Sequence, residues 1–441
     1  MIIETKCGKI IGREEDEFLI FTGIPYAVTR RFEKPEPYPP FMGYDASKKE
    51  EYACFQYGSF RTQKVGAEDF YSKEFYSGKT FTFEESPMRL DIIERKESDH
   101  DPVLIFVHGG GFETGTAGDL PYGESTEYAR RGIILVNLSY RLNVFSLFES
   151  GNYGLQDILM GIRWVKENIA SFGGDPEKIV LMGQSAGAMS IMDLLYTKKL
   201  EGLIRGAVTM SGGGMVPKIA RPWTREESLP FWKRVMEKAD AKDEEEFRKL
   251  PAGVIWNAWF ETSRDPYDLH AVQPGIDGDV IPKIPQEAVK EGSYLDIPMI
   301  MGVTSQDFTP YLIYDMSYSW AKLHVKNNGS PVYGYFFDRE LPGKRFKAFH
   351  GSDLWYMFGN MERSWRPFEK KDYDLKDQMI NYVANFVKTL DPNGEGLPKW
   401  PSISSSNKGF RHFNGESEGL ISPWKCRFKE YKSFLIDKGP M

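Results

Sequence analysis

KIVLMGQSAGA, residues 178–188, decides how the rest of this chain reads. Ile179, Val180, Leu181 and Met182 form a short continuous apolar run, the pattern of a strand buried on both faces of a parallel sheet. Gly183-Gln184-Ser185-Ala186-Gly187 then turns into AMSIMDLLYT, which predicts a helix. A G-x-S-x-G between a buried strand and a helix is a nucleophile elbow. Its two glycines leave room for a backbone too tight for a β-carbon, and Ser185 stands up in a strained, exposed position. The same five letters also suit a serine that merely caps a helix. Whether the chain supplies a base, an acid and an oxyanion hole separates the two.

The bulk properties narrow the field first. The chain has 441 residues, 41% hydrophobic and 14% aromatic, so a large core is available. Enzymes with alternating strands and helices often build one extended domain of this size, and 1–441 reads as such a domain. A net charge of −7, from 56 basic and 63 acidic residues, argues against nucleic acid or an anionic membrane as partner. The start, MIIETKCGKIIGREEDE, reaches charge too early for a signal peptide's apolar region. No apolar run approaches the roughly 18 residues that a membrane helix needs. Cys7, Cys54 and Cys426 are widely spaced and match neither a disulfide framework nor a zinc site. A soluble, cytoplasmic protein is the expectation; its oligomeric state leaves no mark in the sequence.

Outward from the elbow the strand pattern repeats. IIETKCGKIIG and EFLIFTGIPYA alternate polar and apolar residues around turn signals and predict antiparallel strands at the start of the sheet. MRLDIIER suits a strand, and Val103-Leu104-Ile105-Phe106-Val107 is another, ending in His108-Gly109-Gly110-Gly111-Phe112. A helix is expected around 124–131 and a strand over 132–140. Leu155, Ile158, Leu159, Ile162, Val165 and Ile169 mark one face of an amphipathic helix. Beyond the elbow helix, 206–210 reads as a strand, and 217–272 as helical segments carrying Trp223, Trp232, Trp256 and Trp259. IPMIMGV (297–303) and VYGYFF (332–337) are strands again, and the main body closes near Pro401. Buried strands alternating with helices imply a mostly parallel, doubly wound α/β sheet flanked by helices.

HGGGF follows a strand directly, where a glycine-rich loop can present backbone N–H groups to a developing oxyanion. Gly110 and Gly111 are the candidate donors, with Ala186 after the nucleophile as a third. The base must come from His100, His108, His270, His324, His350 or His412. In the chain order serine, acid, histidine, the base comes last. His350, in KAFHGSDLWYMFG, sits between the VYGYFF strand and a predicted helix, on a loop that reaches the sheet's C-terminal edge. His324 reads as surface helix and His412 lies near the end, so His350 is the candidate base. The acid should end a strand between nucleophile and base, as Asp307 does in IPMIMGVTSQD, where it can hold the imidazole's far N–H. Asp277 and Asp279 in PGIDGDVIP are rivals whose spacing suits turn chemistry better.

With these residues in place, the sequence resembles the type-B carboxylesterases, the cholinesterase-like branch of the α/β-hydrolases, over nearly its whole length. The likeness rests on GIPYA (23–27), Arg31-Phe32, AED (67–69), HGGGF, GNYGLQDILMGIRWVKENIASFGGDP (151–176), GQSAGA, GVTSQD and FHGSDLWYMFG. It implies an α/β-hydrolase fold, a triad of Ser185, Asp307 and His350, oxyanion donors at Gly110, Gly111 and Ala186, and a structural ion pair between Arg31 and Glu68. The departures matter too. The family's acid is usually Glu, and here it is Asp307. The residue before the serine is usually Glu, and here it is Gln184. Cys54 matches one half of a disulfide of secreted members, but the partner position is Phe70, which fits a reducing compartment. Only 43 residues separate Asp307 from His350, far fewer than the family places there. That connection leaves room for at most about two short helices, which implies a shallow, wide site with a reduced lid.

The expected reaction is hydrolysis of a small-molecule carboxylic ester through an acyl-enzyme, with no metal or cofactor. An amidase or peptidase could use the same triad, and a non-catalytic adhesion or binding protein could share the scaffold. Choline esters are disfavoured, because Gln184 lacks a charge and 70–85 contains no Trp to bind a quaternary ammonium. Trp223, Trp256, Trp259, Tyr311, Trp320 and Trp355 are compatible with aryl esters such as hydroxycinnamates, and equally with core packing.

Overall fold

Strands of this chain that are apolar at every position end up covered on both faces. A computed structural model describes residues 1–56, 68–214, 221–265, 268, 272–307, 312–327, 329–343, 347–416, 419–422 and 425, without the side chains of 68, 69 and 312. Eleven strands form the main sheet. In chain order they are β1 (Arg13–Glu15), β2 (Phe18–Pro25), β3 (Arg89–Arg95), β4 (Asp101–Val107), β5 (Ile134–Leu138) and β6 (Gly174–Gln184). Then come β7 (Gly206–Met210), β8 (Met299–Thr304), β9 (Val332–Phe337), β10 (Phe410–Phe413) and β11 (Leu420–Ile421). Across the sheet the order is β11-β10-β9-β8-β7-β6-β4-β5-β3-β2-β1. Strands β4 to β10 pair in parallel, and the edges on both sides are antiparallel.

Alternation along each strand sends side chains to two cores. Val103, Ile105 and Val107 of β4, with Ile179 and Leu181 of β6, join one cluster that also holds Ile158, Ile162 and Leu194. Leu104 and Phe106, with Val180 and Met182, join the other, which holds Met379, Val383 and Phe386. The first core is closed by the helices Tyr153–Asn168 and Ala186–Tyr196, the second by Lys370–Thr389. This is the α/β-hydrolase arrangement expected from the sequence, with the elbow strand β6 at its centre. Among the described residues, no helix is long and apolar enough to cross a membrane.

Several expectations are corrected. The hairpin Ile2–Thr5 and Gly8–Ile11 pairs with Gly43–Asp45 in a separate small sheet, so only β1 and β2 of the N-terminal strands start the main one. The helix around 124–131 is a run of turns ending in a single 3₁₀ turn, Ala129–Arg131. Glu124 there takes a φ of +55° and pairs with Arg13, which breaks any helical continuation. The main body does not close near Pro401, because β10 and β11 extend the sheet beyond β9. Between Asp307 and β9, the described residues form one 15-residue helix, Leu312–Lys326, within the limit of about two short ones. Its Tyr314, Trp320 and Ala321 enter the first core. His324 on this helix is buried, not on the surface, hydrogen-bonded to Tyr294 Oη at 3.0 Å and stacked on Trp320. Arg31 pairs with Glu85 and also donates to the carbonyls of Arg248 and Leu250 at 2.6 Å. The expected partner's side chain, that of Glu68, lies outside the described residues.

Candidate active site

Strand β6 delivers Ser185 at its C-terminal end with φ +55° and ψ −123°, a region a serine occupies only when the surroundings impose it. The flanking glycines show why nothing larger fits. A β-carbon on Gly187 would lie 2.1 Å from the Val107 carbonyl oxygen, and one on Gly183 would lie 2.7 Å from the Gly187 backbone. The elbow is thus wedged against the end of β4, where HGGGF begins.

In that loop Gly110 and Gly111 have φ values of +111° and +64°, which turn the loop back over the elbow. The Gly110 carbonyl points away, accepting from Glu113 and Thr114 at 3.0 Å. The N–H groups of Gly110, Gly111 and Ala186 make no hydrogen bond to a described residue, and Ala186 opens its helix, where N–H groups have no intrahelical partner. His108 at the head of the loop stacks on Tyr140 and is fully enclosed, and burial lowers it to about 4.

Asp307 and His350 arrive on two loops that are stapled together. Gln306 forms a β-bridge with Phe349, its N–H donates to Ala348 O at 3.0 Å, and its Oε1 accepts from the N–H groups of Lys347 (3.0 Å) and Ala348 (3.2 Å). The result is a 2.5 Å contact between His350 Nδ1 and Asp307 Oδ1. Thr304 Oγ1 donates to the other carboxylate oxygen at 3.0 Å. On the far side of the ring, Gln184 Nε2 stands 3.2 Å from His350 Nε2. An amide nitrogen only donates, so Nε2 is the acceptor and the neutral ring carries its proton on Nδ1, toward Asp307. Behind this pair, Tyr335 donates to the buried carboxyl of Asp353 at 2.7 Å, which burial raises to about 6.

Ser185, His350, Gln184 and the three glycines of HGGGF share a cavity of about 310 Å³. Its remaining walls are Tyr71, Phe75, Tyr76, Asp119, Tyr122, Gly351 and Leu354. Of the aromatics singled out in the sequence, Trp256, Trp259, Trp320 and Trp355 do not line it and are buried in the cores. Trp223 is half-buried and Tyr311 lies outside the described residues. The aromatic lining comes instead from Tyr122 and from the segment FYSKEFY (70–76), which the sequence offered only as lacking Trp. The rivals fall elsewhere. Asp277 Oδ1 closes a turn onto Asp279 N (3.0 Å) and Ile281 N (2.8 Å). Asp279 pairs with Lys34 and Lys199 on the surface. His412 bonds Asp338 at 3.0 Å, and His270 lies outside the described residues. Among the described residues, no group of three His, Cys, Asp or Glu is arranged to hold a metal ion. Cys54 is a buried free thiol.

Comparison with known proteins agrees with this architecture. The profile of the carboxylesterase family matches residues 1–321 and 312–428. Gut esterase 1 of Caenorhabditis elegans is 28% identical, over 92% of this chain and 71% of that protein. An acetylcholinesterase of Leptinotarsa decemlineata is 24% identical, over 95% of this chain and 83% of its own. Among solved structures, a PNB esterase superposes with a TM-score of 0.82 at 22% identity, covering 97% of this chain and 99% of that one.

Proposed function

The chain belongs to the carboxylesterase family, and from that premise we propose that it hydrolyses small-molecule carboxylic esters through an acyl-enzyme on Ser185. His350 is the general base and Asp307 the acid that orients it. The observation that carries this reading is the 2.5 Å contact between Asp307 and His350, on a ring that opens onto the same cavity as Ser185.

The steps follow from the geometry. Asp307 and Gln184 hold one tautomer from opposite sides, leaving the lone pair of Nε2 as the proton acceptor. As Ser185 Oγ attacks the ester carbonyl, its proton passes to Nε2, displacing the weaker amide contact. Negative charge develops on the carbonyl oxygen beside the N–H groups of Gly110, Gly111 and Ala186, which bond no described residue and stabilise it without reorganising. The imidazolium, stabilised by Asp307, protonates the leaving alcohol, and water then repeats the sequence on the acyl-enzyme. No step calls on a metal or cofactor.

The test is covalent. An aryl fluorophosphonate should modify the native protein once, on Ser185, and abolish turnover of a p-nitrophenyl ester in proportion. Labelling at another residue, with Ser185 unmodified and activity gone, would overturn the assignment.

A further inference from the structure

Gln184 enters the mechanism above only as a contact that the serine's proton displaces, yet its side chain is closely held between two loops. It is 5% exposed, and His350 7%. A β-carbon on Gly109 would collide with both the side-chain and the backbone oxygen of Gln184, and one on Gly351 would lie 3.4 Å from its Nε2. The side chain therefore runs from the glycine-rich loop to the loop of the base, and glycine at 109 gives it room. Its amide nitrogen ends 3.2 Å from His350 Nε2.

What stands at that point decides which form of the ring is favoured. With its Nδ1 proton held by Asp307 at 2.5 Å, the neutral ring offers only a lone pair at Nε2. An amide can donate to that lone pair. A carboxylate of the same length has no proton to give and can engage only the protonated ring. A hydrogen bond to the neutral form of a base disfavours its protonation, whereas a negative charge within about 4–6 Å favours it. The other ionisable groups facing the ring come from four further places. Asp307 sits at Nδ1, and Asp353, three residues on, has a carboxyl raised by burial to about 6 and in electrostatic contact with Asp307 and His350. On the helix Glu68–Phe75, burial raises the Tyr71 hydroxyl. Glu74 of that helix is satisfied by the indole N–H groups of Trp355 (2.8 Å) and Trp365 (3.0 Å) and by Arg366 (2.8 Å). Across the cavity, burial raises the Asp119 carboxyl to about 8. All of these stay in place when residue 184 alone is varied.

We propose that Gln184 is the positioning residue that sets the pH range of the enzyme: its uncharged amide, donating to Nε2, keeps His350 a neutral base into acid, where a carboxylate in its place would leave the ring protonated and turnover lost. This deepens the esterase reading and rests on it.

The kinetic test follows kcat/KM for p-nitrophenyl acetate against pH in wild type, Gln184→Glu and Gln184→Met. The midpoint of the acid limb should rise by roughly one to three units in Gln184→Glu. In Gln184→Met, which loses one hydrogen bond and gains no charge, it should move by less than about one unit. A rise of less than about one unit in a folded Gln184→Glu enzyme would overturn the proposal, and so would equal shifts in the two variants, the mark of a packing role. Histidine ¹⁵N NMR of the free enzyme covers a variant that fails to fold. In wild type and in Ser185→Ala, the neutral His350 ring should carry its proton on Nδ1 and show a hydrogen-bonded Nε2, because the donor is the Gln184 amide and not the serine. A free Nε2 lone pair in Ser185→Ala, or a proton on Nε2 of the neutral ring, would likewise overturn it. Absence of ester hydrolysis by wild type, with no fluorophosphonate labelling of Ser185, would instead remove the reading on which the proposal rests, while the NMR still reports the contact between Gln184 and His350.

Discussion

Replacing Asp307 by Asn tests the acid with almost no change of shape, and its effect can be worked from two contacts. Asp307 Oδ1 meets His350 Nδ1 at 2.5 Å, and Oδ2 accepts from Thr304 at 3.0 Å. The amide can sit in two ways. With its oxygen toward His350, the Thr304 hydroxyl must rotate to accept from the NH₂, the tautomer survives, and only the negative charge is lost. An imidazolium about 4 Å from a carboxylate, at an effective dielectric of about 20, is stabilised by about 4 kcal/mol. Losing that slows the reaction by about 10³. With its NH₂ toward His350, the ring must move its proton to Nε2, where it faces the Gln184 amide and cannot accept from Ser185. The wrong tautomer costs on the order of 10⁴. The expected loss in kcat is therefore between roughly 10³ and 10⁴ by either route. The assay is p-nitrophenyl ester hydrolysis under saturating substrate, with a thermal melt to establish folding. Asp277→Asn and Asp279→Asn serve as controls and should leave kcat unchanged, since their carboxylates serve a turn and surface lysines. A folded Asp307→Asn enzyme within tenfold of wild type would refute the assignment. Equal losses in all three variants would show that the substitutions act through stability.

Four further outcomes are expected. Ser185→Gly should abolish turnover yet raise the melting temperature, because a residue other than glycine at φ +55° stores about 1–3 kcal/mol; a lower melting temperature would contradict the strain. Gly110→Ala should cut kcat by on the order of 10² or more, since its β-carbon would stand 2.0 Å from Thr114 O and displace the loop; unchanged kinetics would remove Gly110 from the oxyanion hole. Thiol titration of the denatured, unreduced chain should find three reactive cysteines, with Cys54 the slower of Cys7 and Cys54 in the native protein because burial raises it to about 12; a count of one would reveal a disulfide. Glu94, buried with Oε2 unpartnered and raised by burial from 4.5 to about 9, is protonated when folded and ionised when unfolded across that interval. Wild-type stability is therefore lost as pH rises from about 4.5 toward 9, and Glu94→Gln should gain on wild type over that window but not below it, as read from paired melts.

Much of the site was legible because its signals are local. Ser185 needs only a buried strand, two glycines and a helix, all within the same dozen letters, and the strain at its φ is a property of that turn. Gly110 and Gly111 follow the apolar run Val103–Val107 within two or three residues of its end, and their positive φ values are ones that favour glycine. Asp307 and His350 were placed by chain order and by the strands that precede them. His324 misled because AKLHVK looks polar in one dimension, whereas Trp320 and Tyr294 cover it in three. The strands Phe410–Phe413 and Leu420–Ile421 are too short to show a period, and they exist because β9 offers an edge to pair with.

What lay beyond the sequence is the meeting of distant loops. Nothing in QDF or in FHG states that Gln306 staples them, and without that bridge the 2.5 Å contact between Asp307 and His350 has no cause. Tyr71, Phe75 and Tyr76 come from one segment, Asp119 and Tyr122 from another, and Leu354 from a third. Their joint cavity follows from how the chain packs around the C-terminal ends of β4 and β6. Periodicity, turn chemistry and allowed backbone angles are set by neighbours along the chain, so the strand order's raw material, the elbow and the glycine loop were determined by sequence alone. Which side chains come together to wall the cavity beside Ser185 depends on contacts between residues far apart in the chain, and only the tertiary structure decides those.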